Sequence, residues 1–196
     1  MKIGAAVSTG IVLLALSSVG IVRSQAQEPP KGWYRAGMNP DDYVMSVDPK
    51  GGRTGDPCAF IKAKTAEART FGTLMQTFAA DEYRGKRLRL SATLKSADVK
   101  NWAGLWMRID GPDPSRPLAF DNMQSRSIKG TTDWRSYEVV LDVGPQATSV
   151  NFGILLNGAG EVWLDGVKLD PVGSNVPVTA NPSLPKQPVN LDFEQH

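Results

Sequence analysis

Histidine and cysteine are almost missing from this chain: 196 residues hold one of each. The histidine is His196, the last residue, so a Ser-His-Asp hydrolase has no positioned imidazole. A His/Cys metal centre lacks its donors, and there is no glycine-rich phosphate loop. With Cys58 alone there is no internal disulfide, and the core must hold the domain together. Net charge is small too. The formal net charge is +2, and taking away Lys2 and Arg23 leaves none. That excludes the basic patch of a nucleic-acid binder and the polybasic arm of a protein held on anionic lipid.

What is present begins with an apolar N-terminus. Lys2 is a short positive region, Gly4 to Val22 is apolar, and Ser24-Gln25-Ala26 supplies small residues at a cleavage site. Residues 1–26 read as a secretory signal peptide cut after Ala26, which places the chain in the periplasm or outside the cell. The competing reading is an uncleaved membrane anchor, because Ile3 to Val22 is almost long enough to span a bilayer. Cys58, in Pro57-Cys-Ala-Phe-Ile61, is expected as a small buried residue. Intermolecular pairing or a reactive thiol is the alternative.

Residues 27–57 are rich in Pro, Gly and Asp and read as loops, with a short edge strand at Gly32-Trp33-Tyr34. Beyond them short apolar runs alternate with turn signals, and no amphipathic helix is evident. Strands are expected over 58–64, 71–78, 86–97, 103–110, 118–123, 134–143, 149–156 and 161–169. In 86–97, Leu88, Leu90, Ala92 and Leu94 share one face, and Arg87, Arg89, Ser91, Thr93 and Lys95 the other. In 103–110, Ala103, Leu105, Met107 and Ile109 oppose Gly104, Trp106 and Arg108. Gly130-Thr-Thr-Asp133 and Asn157-Gly-Ala-Gly160 read as turns. In the last hairpin Val150, Phe152, Ile154 and Leu156 are expected to pack with Trp163, Val167 and Leu169. This spacing gives an all-β chain, an antiparallel β-sandwich of jelly-roll type. The expected domain is 27–172, about 145 residues, a comfortable size for one core. A Pro-rich linker (173–188) follows, then a strand (189–196) expected to pack back on the sandwich.

Three segments carry a resemblance: Phe78 to Ala92, Thr132 to Val139, and Val162 to Leu169. They resemble carbohydrate-binding-module jelly rolls of the galactose-binding-like superfold, over roughly residues 32–172. The segments Leu-Trp-Met-Arg, Ala-Phe-Asp-Asn-Met and Phe-Gly-Ile-Leu-Leu-Asn-Gly-Ala-Gly resemble a largely uncharacterised group of bacterial exported proteins. Some of that group are named as transcriptional regulators. The carbohydrate-binding resemblance implies a non-catalytic binding domain for a carbohydrate or cell-envelope glycan. It also implies a structural Ca²⁺ held by Asp165 and Glu194, against the plainer reading of Asp165 as a polar cap. Such modules begin with a strand like Asn190-Leu-Asp-Phe-Glu194, which here lies at the opposite end of the chain.

Sugar binding needs flat rings for pyranose faces and planar polar groups for hydroxyls. Trp106 and Arg108 share a strand face away from the Leu105/Met107 core, and with Gln76 and Asn122 they form the candidate ligand site. Against this stands Trp106 packed under the Pro112–Pro117 loop, and Arg108 paired with Asp121 beneath it. No cofactor is implied otherwise, and no oligomeric state. A protein-interaction or envelope-assembly module is the second reading. A hydrolase using Asp110, Asp113 or Asp121 is the third.

Overall fold

The computed structural model describes Glu28–Ala180. The expected signal peptide, the later half of the linker and the strand at 189–196 lie outside the described residues. Nine strands form among the described residues: β1 (Tyr34–Gly37), β2 (Tyr43–Asp48), β3 (Cys58–Ala63), β4 (Phe71–Ala79), β5 (Arg87–Asp110), β6 (Ala119–Asp121), β7 (Ile128–Asp142), β8 (Ser149–Asn157) and β9 (Glu161–Val172). Every pairing is antiparallel. Helical content among the described residues is three single 3-10 turns.

β5 organises the domain. Its first half, Arg87 to Ala97, lies between β7 and β9. Its second half, Trp102 to Asp110, pairs with β8 and β6. Between them the register with β7 shifts repeatedly, and Asp98 has a positive φ of 54°. Such irregularities bend a strand sharply. The single hydrogen-bonded path therefore folds into two layers: β1-β4-β8-β5-β6 (sheet I) and β2-β3-β9-β5-β7 (sheet II). This is the expected β-sandwich of jelly-roll type, and the alternation within each half of β5 reads as expected.

Leu88, Leu90 and Leu94 from one half of β5, and Leu105, Met107 and Ile109 from the other, are fully buried. Val150, Ile154 and Leu156 of β8 meet them from the neighbouring strand. Burying each such side chain contributes about 2 kcal/mol. Trp33, Phe152, Phe78 and Tyr83 close one end of the core in successive edge-to-face contacts of 5.4–6.0 Å.

Four expectations change. Residues 43–48 were read among loops but form β2, whose Tyr43 and Met45 are fully buried. The strands expected at 86–97 and 103–110 are one strand of 24 residues. The turn expected at Gly130–Asp133 lies inside β7, where Gly130 takes a φ of +68° opposite Val99. In β9, Val162 and Leu164 are the buried pair, and Trp163, between them, faces outward. A strand offers alternate residues to one face, so Trp163 cannot share the core with Leu164. The turn at Asn157–Gly160 forms, with positive φ at Gly158 and Gly160. Tyr43 seats its hydroxyl against the Thr70 and Gly158 carbonyls, at 2.6 and 3.2 Å.

Candidate functional site

Register decides which side chains meet on the outer face of sheet I. Thr77 of β4 lies opposite Asn151 of β8, which lies opposite Arg108 of β5, which lies opposite Phe120 of β6. The adjacent row is Tyr34, Met75, Gly153 and Trp106, from β1 across to β5. Asp110 ends β5 two residues beyond Arg108, on the same face.

These polar groups are linked. Tyr34 and Thr77 share a hydrogen bond of 2.6 Å. The Thr77 hydroxyl donates to Asn151 Oδ1 at 2.7 Å, so its oxygen accepts from Tyr34. Asn151 Nδ2 then donates to Asp110 Oδ2 at 2.8 Å. Arg108 donates to the same oxygen through Nε and Nη2, at 3.2 and 2.9 Å. Every bond in the row runs toward the Asp110 carboxylate, which polarises the chain. Asp110 is 8% exposed and Arg108 41%. The buried carboxylate holds the guanidinium by two nitrogens and leaves Nη1 without a described partner. The other oxygen, Asp110 Oδ1, is buried with no hydrogen bond among the described residues.

Exposed rings flank this row. Tyr34 is 43% exposed on β1 and Phe120 46% exposed on β6. Five strands at about 4.8 Å set the two edges roughly 19 Å apart. Beside Phe120 a depression of about 390 Å³ is lined by Asn122, Gln124 and Ser125.

Of the four expected ligand residues, the structure brings Arg108 and Asn122 to this face. Trp106 also points to it but is 7% exposed. Its indole Nε1 donates to Thr73 Oγ1 of β4 at 2.7 Å, so the ring crosses β8 and lies along the sheet. Gln76 lies opposite Phe152 on the core side of β4, away from Trp106 and Arg108, with its amide 3.9 Å from where a Gly32 Cβ would stand. Tyr34, Thr77 and Asn151 were missed. The signal available was a polar residue interrupting an apolar strand: Asn151 stands between Val150 and Phe152.

The expected ion pair of Arg108 with Asp121 is corrected. Asp121 lies opposite Met107 and so on the other face from Arg108. It pairs instead with Arg126 at 2.7 Å. Burial pushes the Asp121 carboxyl up. Hydrogen bonds from Arg126, Thr179 and the Met123 amide outweigh that and hold it below the usual range. Asp110 and Asp121 therefore do not face each other across a cleft, and Asp113 is held in its own loop by Ser115.

Asp165 Oδ2 accepts the Arg53 amide at 3.0 Å, as the polar-cap reading has it. Glu194 lies outside the described residues. Among the described residues no three His, Cys, Asp or Glu side chains converge. Cys58 is buried and free.

No family model matches the chain. It is 40% identical over 177 residues to the uncharacterized HTH-type transcriptional regulator YbfP of Bacillus subtilis, an alignment covering 88% of this chain and 59% of that protein. The chain thus spans less than two thirds of that relative. Among solved structures it resembles the CBM22-1 xylan-binding domain of Paenibacillus barcinonensis Xyn10C. The TM-score is 0.53 at 10% identity, covering 76% of this chain and 91% of that one. The Stig cyclase Fisc of Fischerella sp. TAU gives 0.52 at 14% identity, with coverage of 74% and 88%. Tailspike protein 4 of bacteriophage CBA120 gives 0.54 at 12% identity, covering 72% of this chain and 20% of that one. At these identities the likeness is one of fold, and that fold includes carbohydrate-binding modules.

Proposed function

We propose that this chain is an exported, non-catalytic domain that binds a carbohydrate or cell-envelope glycan across the outer face of sheet I. The observation that carries it is the hydrogen-bonded row Tyr34–Thr77–Asn151–Asp110–Arg108, with exposed rings at both ends. Rings offer flat apolar faces to sugars, and a fixed guanidinium and hydroxyls read their hydroxyl groups. Arg108, clamped by Asp110, is the main reader through Nη1. Tyr34 and Phe120 supply the stacking faces, and Asn122 lines the far end. Support comes also from the fold shared with a xylan-binding domain. The apolar segment before Ser24-Gln25-Ala26 supports export. The separation of Asp110 from Asp121 onto opposite faces supports a binder over a hydrolase.

The relative's regulator name does not carry DNA binding to this chain. A helix-turn-helix needs two α-helices, and the described residues form none. A binding domain shared between the two proteins accounts for the match. One observation favours the protein-interaction reading: an apolar groove of about 460 Å³ between Leu118, Leu141, Pro145 and Val178, with Leu118 and Val178 exposed. Light scattering that shows oligomers lost on Leu118→Asp would favour it.

The test is calorimetric titration of xylo-oligosaccharides and a panel of envelope glycans. A hit should weaken about tenfold or more in Tyr34→Ala, with Tm held, and in Arg108→Ala, which also lowers Tm because the buried Asp110 carboxylate loses its charged partner. A hit unaffected by both variants, or no hit in the panel, removes the sheet I face from the function.

A further inference from the structure

The outer face of sheet II carries a second constellation. Lys95 of β5 lies opposite Trp163 of β9, and its ammonium stands 4.4 Å from the Trp163 ring centroid. On the other side it stands 5.6 Å from the ring of Trp134 of β7. One cation thus sits between two half-buried indoles on three adjacent strands. Two strand spacings put the backbones that carry the rings about 10 Å apart.

The cluster is chemically unfinished. Lys95 takes part in none of the ion pairs of the described residues. Neither indole N–H donates to a described residue, and neither is a buried orphan. Three donors and two ring faces therefore share one surface with no described acceptor. The surroundings limit the ligand. By register Arg89, Lys168, Glu138, Asp165 and Asp170 share this face with Lys95, so its charges balance. A dense polyanion such as nucleic acid gains nothing from such a face. A chain that brings one carboxylate to one place does.

We propose that Trp163, Lys95 and Trp134 form a second site, separate from sheet I, for an acidic glycan. Neutral sugar rings stack on the indoles, and a uronate carboxylate meets the Lys95 ammonium between them. Aromatic faces take the C–H side of a pyranose, and an ammonium already held over rings is partly stripped of water before the carboxylate arrives.

The competing explanation is that Lys95 merely lays its stem over two rings. A matched pair of probes separates the two: a xylo-oligosaccharide bearing one glucuronate, and the same compound with its carboxyl reduced to an alcohol. Both are titrated against the full chain carrying Arg108→Ala, which removes the sheet I site. The acid is expected to bind about tenfold more tightly than the alcohol. High salt and Lys95→Met should erase that preference, while Lys95→Arg keeps it. Trp163→Ala should weaken both probes. Equal binding of acid and alcohol, or an acid preference that survives Lys95→Met, overturns the proposal. Loss of all acid binding in Arg108→Ala alone would place the carboxylate on sheet I and equally overturn it. If Lys95→Met lowers Tm, the salt dependence and Lys95→Arg still decide.

Discussion

Trp106 reaches over β8 to give its indole N–H to Thr73, two strands away, at 2.7 Å. The Thr73 hydroxyl passes its own proton to the Ile154 carbonyl at 2.8 Å. The bond ties β5, β8 and β4 together beside the hydrogen-bonded row. It turns an aromatic side chain on an outward face into part of the floor.

Trp106→Ala should therefore act on stability first. Removing a buried indole costs about 3–5 kcal/mol, read as a fall in the urea midpoint with unchanged slope. Trp106→Phe keeps most of the volume and loses the hydrogen bond, for about 1 kcal/mol. A Trp106→Ala protein of full stability that no longer binds would show instead that the ring is a contact surface.

Arg126→Ala should cost about 2 kcal/mol, because the buried Asp121 carboxylate loses its charged partner. The acid limb carries the same information. The folded carboxyl lies below its unfolded value, so its stabilisation is present above the unfolded pKa and is lost as pH falls through the folded one. Asp121→Asn should flatten that part of the stability–pH curve. An unchanged acid limb would remove Asp121 from the account.

Burial pushes the Cys58 thiol up to about 11, with Asp48 and Asp165 adding to the shift. The sign is opposite to that of Asp121. Stability is full below the unfolded thiol pKa, near 9, and falls as pH rises toward 11. The loss assignable to Cys58 is about 2–3 kcal/mol at most, seen as the difference from Cys58→Ala across that window. A thiol reagent at pH 8 should label the native chain slowly and the unfolded chain at once. Rapid native labelling would contradict the buried thiol.

Much of the architecture was legible because each half of β5 alternates cleanly. Leu88, Leu90 and Leu94 against Arg87, Arg89 and Lys95 leave no choice of face. β2 was not legible, because Tyr43–Asp48 stands between Pro40-Asp-Asp42 and Pro49, where the turn chemistry dominates the reading. That 86–97 and 103–110 are one strand also escaped, since bulges add residues that blur the alternation. Arg108 could be placed on the right face from its neighbours alone. Tyr34, Thr77 and Asn151 could not join it, because they come from three other strands and meet only through pairing register. Gln76 fell on the wrong side for the same reason: parity within β4 says nothing about which face β5 shares.

The bent 24-residue β5 has a consequence for how the domain comes apart. Its backbone is a rung in both hydrogen-bond ladders, so neither layer can separate and leave the other with intact edges. Amide protons of Leu90 and Leu105 should exchange through the same opening event, despite sitting in different sheets. Arg108 and Lys95 are mounted on that one shared strand, so strain placed on either sheet reaches both.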